Sequence, residues 1–144
     1  MPGLDGQKMS KSYGNTIALR EAPEAVIHKF KTMPTDPARV RRTDPGDPEK
    51  CPVWAFHKVY SGAETRDWVW QGCTTAGIGC LDCKQRVIDA VLAELAPIRE
   101  RAEEFAGNRN LVRALVAEGC EAARDVARAT LAEVRDVMGI KSVY

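Results

Sequence analysis

Apolar side chains return every three or four positions over the last third of the chain, and this rhythm constrains the fold more than any other feature. Val87, Ile88, Val91, Leu92, Leu95, Ile98 and Phe105 make one stripe with charged residues opposite, which predicts a helix over about 82–105. Pro97 falls inside it, and its missing amide hydrogen predicts a kink. Gly107 ends the run, and Asn108 is placed to cap a second helix. That helix carries Leu111, Leu115, Val126, Leu131, Val134 and Val137 as far as Met138, with Gly119 as a point of bending. Two long antiparallel helices joined by a tight turn are expected.

Shorter helices are expected upstream. Val26, Ile27 and Phe30 keep helical spacing after Pro23, which suits a first turn, and predict a helix over about 22–32. Val53, Trp54, Phe56, Val59 and Tyr60 predict another over 52–60, and a third is expected near 64–72. Between the first two, Pro34, Pro37, Pro45, Pro48 and Gly46 mark residues 34–48 as a connector. No strand-turn-helix unit is found, so the fold class expected is all-α. A chain of 144 residues with 44% hydrophobic content can bury one core. No apolar run is long enough for a bilayer and no targeting segment is evident, so the expected location is the cytoplasm.

The net charge of +1 does not announce a nucleic-acid partner. Residues 1–60 hold ten Lys or Arg against seven Asp or Glu, and residues 61–144 eleven against thirteen, so any RNA surface must be a local patch. The most basic short run, Arg39-Val40-Arg41-Arg42, is either a solvated loop or a contact for phosphates. Trp54, at helical spacing, reads as core. Trp68 and Trp70 flank Val69 in a polar stretch, where at least one should be exposed and able to stack on a base.

Four of the five cysteines, Cys51, Cys73, Cys80 and Cys83, are separated by 21, six and two residues, with Gly72, Gly77 and Gly79 among them. Four thiolates in one small neighbourhood repel each other unless a metal centre holds them. A structural zinc site usually shows two short Cys-x-x-Cys knuckles, and only Cys80-Leu81-Asp82-Cys83 is present, so the spacing favours a 4Fe-4S cluster over zinc or over unligated thiols. Cys120 reads as a small core residue. His28 and His57 lie on expected helices with no catalytic partner nearby, and read as core or surface histidines.

The chain opens on Pro2-Gly3-Leu4-Asp5-Gly6-Gln7-Lys8-Met9-Ser10-Lys11-Ser12-Tyr13-Gly14-Asn15, a cationic, donor-rich loop suited to phosphate. Lys8-Met9-Ser10-Lys11-Ser12 matches the KMSKS signature of class I aminoacyl-tRNA synthetases. Its flanks resemble the bacterial tryptophanyl-tRNA synthetases, some of which carry an iron-sulfur cluster with a similar cysteine pattern whose first gap is one residue longer. The resemblance implies the C-terminal part of such an enzyme: a KMSKS loop at residues 1–20, then a helical anticodon-binding domain at residues 21–144 with a metal centre at 51–83. It implies ATP, with Mg2+, bound by Lys8, Met9, Ser10, Lys11 and Ser12, and catalytic roles for Lys8 and Lys11 as tryptophan attacks the α-phosphate. It also implies tRNA(Trp) as partner and a homodimer for the full-length form. The catalytic Rossmann-like part with its HIGH motif is expected to be absent, which makes the chain a fragment, a split gene product or an incomplete gene model, inactive alone. Two other classes are a non-catalytic module that binds tRNA or a partner, and a redox-responsive iron-sulfur protein.

Overall fold

The computed structural model describes residues 2–140. Its regular elements there are helices, beside one isolated antiparallel bridge between Pro2 and Lys8. Five α-helices follow in order: α1 Pro23–Thr32, α2 Pro52–Tyr60, α3 Ala63–Thr74, α4 Cys80–Gly107 and α5 Arg109–Val137. Short 3-10 turns lie at Lys11–Tyr13 and Pro48–Lys50. Pro23 and Pro52 occupy first helical turns, where the absent amide hydrogen costs nothing. Asn108 caps α5 by accepting the Leu111 amide at 3.0 Å. α4 continues through Pro97.

The chain falls into two compact units, Met1–Glu100 and Arg101–Tyr144. The core of the first is built from α1 (Val26, Phe30), α2 (Val53, Phe56) and α4 (Val87, Ile88, Val91, Leu95), with Met33 and Leu4 added from the segments around them. Phe30 and Phe56 meet edge to face, centroids 5.1 Å apart at 82°. Leu4 joins the opening loop to this core. Lys29 holds the segment after the loop, donating to the Thr16 carbonyl at 2.8 Å and pairing with Glu21 at 2.5 Å.

Two buried polar side chains organise the helix ends. Lys84 donates to the carbonyls of Lys31 (2.9 Å) and Met33 (2.5 Å), so α4 supplies a cation to the C-terminal end of α1. Burial lowers its pKa, partly offset by the neighbouring thiols. Asp36 braces the proline-rich connector, its carboxylate accepting the Asp47 amide at 2.7 Å and the Ala38 amide at 3.0 Å. These amides hold its pKa below the ordinary value. Because the folded pKa is depressed, the contribution to stability is present above the unfolded pKa and is lost as pH falls through the folded one. Thermal unfolding from pH 7 down to 2 should therefore show an acid-side loss of stability that Asp36→Asn diminishes. An identical pH profile for the variant would refute the brace.

In the second unit no residue of α5 is buried; Leu115, Val126, Leu131 and Val134 are exposed. Cys120, expected in a core, is exposed as well. Periodicity sets the helix and its stripe, but supplies no partner surface to cover it. No described helix is long and apolar enough to cross a membrane.

Candidate phosphate loop and cysteine centre

Residues 2–15 form two turns joined at a buried asparagine. In the first, the Gly3 amide donates to the Gln7 carbonyl at 2.7 Å, the Gly6 amide to the Gly3 carbonyl at 3.0 Å, and Asp5 accepts the Gln7 amide at 2.9 Å. Gly6 sits there at φ +79°, a conformation that suits glycine. In the second, Ser10 accepts the Ser12 amide at 3.3 Å and the chain closes on Gly14. Asn15, 4% exposed, joins the two. Its Oδ1 accepts the Ser10 amide at 2.7 Å, and its Nδ2 donates to the Asp5 carboxylate at 2.8 Å and the Lys8 carbonyl at 3.1 Å. Its own carbonyl accepts the Leu4 amide at 2.9 Å. Gly3 packs so closely that a Cβ there would stand 2.4 Å from Asn15 Nδ2.

This clamp leaves Lys8, Lys11 and Ser12 exposed and Met9 and Ser10 half-buried. Neither ammonium group has an acidic partner among the described residues, so both charges are available to an anion. Sequence reasoning located the lysines but missed Asn15 and Asp5, because a buried amide that bonds to its own loop has no period or spacing to mark it. Asn15→Ala strands the Ser10 amide and the Lys8 carbonyl, a cost of about 1–3 kcal/mol. Hydrogen exchange at the Ser10 amide should accelerate accordingly; unchanged protection would mean that Asn15 does not hold the loop.

The four spaced cysteines come together from three helices. Cys51 caps the start of α2, Cys73 lies in the last turn of α3, and Cys80 and Cys83 lie in the first turn of α4. Burial, followed by the charges of Cys51, Cys73 and Cys80, pushes the Cys83 thiol up to about 12. Burial also raises Cys51, against the backbone amides of Val53, Asp36 and Trp54, and raises Cys73, against the charge of Arg39. Gly46 lies against the group: a Cβ there would stand 2.8 Å from Cys73 Sγ. Among the described residues no group of three or more His, Cys, Asp or Glu side chains is placed to hold a single metal ion.

Charged and polar side chains surround these thiols. Arg39 is buried, donating to the carbonyls of Arg42 (3.0 Å) and Ile78 (2.6 Å), with Nη1 3.9 Å from Cys73 Sγ and Nε buried without a partner. Of the basic run only Arg41 and Arg42 therefore remain exposed to a phosphate backbone. His57 is fully buried, its Nε2 3.2 Å from Cys83 Sγ and its Nδ1 2.8 Å from Ser61 Oγ. Burial lowers its pKa to about 4, so the ring is neutral. Trp54 is buried and donates to Glu49 at 3.0 Å. Trp70 is 42% exposed beside it, and Trp68, 38% exposed, lies under the Arg86 guanidinium.

Residues 1–96 match the family described as tRNA synthetases class I (W and Y). The chain belongs to that family. Tryptophan–tRNA ligase of Ralstonia nicotianae is 61% identical over 140 residues, which are 97% of this chain and 35% of the relative. The ligase of Thermotoga maritima is 46% identical over 141 residues, 97% of this chain and 43% of the relative. The chain thus spans less than half the length of these curated relatives. A crystal structure of tryptophanyl-tRNA synthetase from Campylobacter jejuni, complexed with ADP and tryptophan, has a TM-score of 0.83 over 96% of this chain and 43% of that one. At 24% identity this is a likeness of fold.

Family membership over residues 1–96 corrects the expected fold class. The stretch from the loop into α4 belongs to the catalytic family's own sequence, so the description of a C-terminal piece with the catalytic part absent does not hold. In the described residues this family sequence takes the form of a loop and helices, whose periodicity gives no sign of catalytic sequence.

Proposed function

We propose that this chain forms part of a tryptophan–tRNA ligase, which activates tryptophan with ATP, releases pyrophosphate and transfers the amino acid to tRNA(Trp). The observation that carries this reading is the pair of unpaired ammonium groups, Lys8 and Lys11, on a loop held by buried Asn15 in a chain of this family. As tryptophan attacks the α-phosphorus, negative charge grows on the departing pyrophosphate. A cation held there stabilises the transition state more than the ground state. Lys11 takes that role and Lys8 assists, while Mg2+ travels with ATP. Ser12 and the backbone around Met9 and Ser10 add hydrogen bonds to phosphate oxygens. The test is tryptophan-dependent pyrophosphate exchange by a chimera in which this chain replaces the matching segment of the Ralstonia nicotianae ligase. Exchange is expected; a folded but inactive chimera would refute the assignment.

Residues 1–20 act as the phosphate loop, and the helical part that follows offers a surface to tRNA(Trp). Exposed Arg41 and Arg42 line a recess with Thr35, Gly79 and Leu81, and Trp70 offers a face beside Lys58 and Arg66. Phosphate contact at the first and base stacking at the second suit single-stranded RNA.

Cys51, Cys73, Cys80 and Cys83 are the ligands of a 4Fe-4S cluster in this reading. The donor set fits: four thiols whose charges act on one another, a glycine at position 46 where a side chain would run into Cys73, and the buried cations Arg39 and Lys84 to offset thiolate charge. A single tetrahedral zinc, with sulfur at about 2.3 Å, draws its ligands to within about 3.8 Å of one another. A cubane with an iron at each ligand sets its sulfurs further apart than a single zinc does. When bound, the cluster staples the ends of α2, α3 and α4. Anaerobic reconstitution should give a brown protein with broad visible absorption, and Cys51→Ser should abolish it. Stoichiometric zinc in a colourless protein would replace the cluster in this reading.

A further inference from the structure

Resting on the cluster reading, we infer that His57, oriented by Ser61, donates its Nε2–H to the Cys83 sulfur and thereby sets the potential at which the cluster accepts an electron. The two residues stand on one turn at the end of α2, where the Ser61 amide donates to the His57 carbonyl at 3.0 Å. The ring is fully buried, and each nitrogen has one facing atom: Cys83 Sγ at 3.2 Å from Nε2 and Ser61 Oγ at 2.8 Å from Nδ1.

A neutral imidazole has one N–H, so its two neighbours decide where the hydrogen sits. A free Cys83 thiol can donate to Nε2, with Nδ1–H donating to the serine. Ligation reverses the direction. The S–H bond breaks, an Fe–S bond forms, and the proton leaves to solvent, so the sulfur can only accept. The ring hydrogen then belongs on Nε2, and the Ser61 hydroxyl rotates to donate to Nδ1. A residue that fixes a neighbouring ligand in this way is the usual partner of a metal-bound side chain. An N–H aimed at a ligating sulfur draws electron density from it and favours the reduced cluster. His57 is thus a positioning and tuning residue for the cluster.

The test is a redox titration of the reconstituted full chain, followed by visible absorbance, with wild type, His57→Phe, His57→Gln and Ser61→Ala. His57→Phe should shift the ratio of reduced to oxidised cluster at a fixed potential about tenfold towards oxidised, equivalent to a midpoint lower by about 59 mV for a one-electron couple. His57→Gln, which keeps an N–H donor, should recover part of the shift, and Ser61→Ala should move the midpoint less but in the same direction. The Fe–S stretching bands of the wild type should shift in heavy water, and in Ser61→Ala that shift should be smaller. If His57→Phe cannot hold a cluster, these Ser61→Ala and wild-type readouts decide. A loaded wild type with solvent-insensitive bands, and variants with its midpoint, would overturn the inference while leaving the cluster in place. A wild type that takes up no cluster would overturn both.

Discussion

Lys11→Ala, in the Ralstonia chimera, is expected to slow tryptophan-dependent adenylate formation by about 10²–10³-fold, the scale for losing one aimed charge at a transition state. Tryptophan affinity should be unaffected, because the lysine meets charge that develops only as the phosphorus–oxygen bond breaks. The side chain is exposed, so the loss cannot be attributed to a collapsed core. Lys11→Arg should restore little, since a planar guanidinium on a longer stem does not reproduce a compact, mobile ammonium. Single-turnover adenylate formation, measured beside tryptophan binding at equilibrium, checks this. Equal losses in rate and in affinity would assign Lys11 to general binding.

Phe30→Ala is expected to have the largest effect on stability, a loss of about 3–5 kcal/mol. Phe30 is fully buried on α1, edge to face with Phe56 of α2, in the same core as Leu4 of the loop. Truncation removes buried area, leaves a cavity and breaks the ring pair. At this size each kcal/mol lowers the melting temperature by about 3 °C. Urea unfolding of the variant at neutral pH measures the loss, and a change under about 1 kcal/mol would contradict this core. Because Leu4 shares the core, the loop should also become more sensitive to protease.

The helices were legible because each buries one face or is punctuated by proline and asparagine. Pro23, Pro52 and Asn108 mark three starts, and Val87, Ile88 and Val91 mark the buried side of α4. The apolar stripe of α5 was equally legible, yet nothing in its period says what covers Val126 or Leu131. Lys8 and Lys11 could be found because they sit in Lys8-Met9-Ser10-Lys11-Ser12, a string that matches a family signature. Asn15, Arg39 and His57 could not, because their partners are backbone atoms and thiols that become neighbours only in the fold. Arg39 shows the cost of reading charge alone: it belongs to the most basic run of the chain but is spent on the carbonyls of Arg42 and Ile78. The absence of a recognisable nucleotide-binding unit pointed away from catalytic sequence, whereas family membership over residues 1–96 lies within it.

The most direct measurement is pyrophosphate exchange into ATP by the chimera, with and without Lys8→Ala and Lys11→Ala together. If this loop grips the triphosphate, the unaltered chimera exchanges, and the double variant falls below either single variant while still binding tryptophan. Exchange at the unaltered rate after both ammonium groups are gone would contradict it.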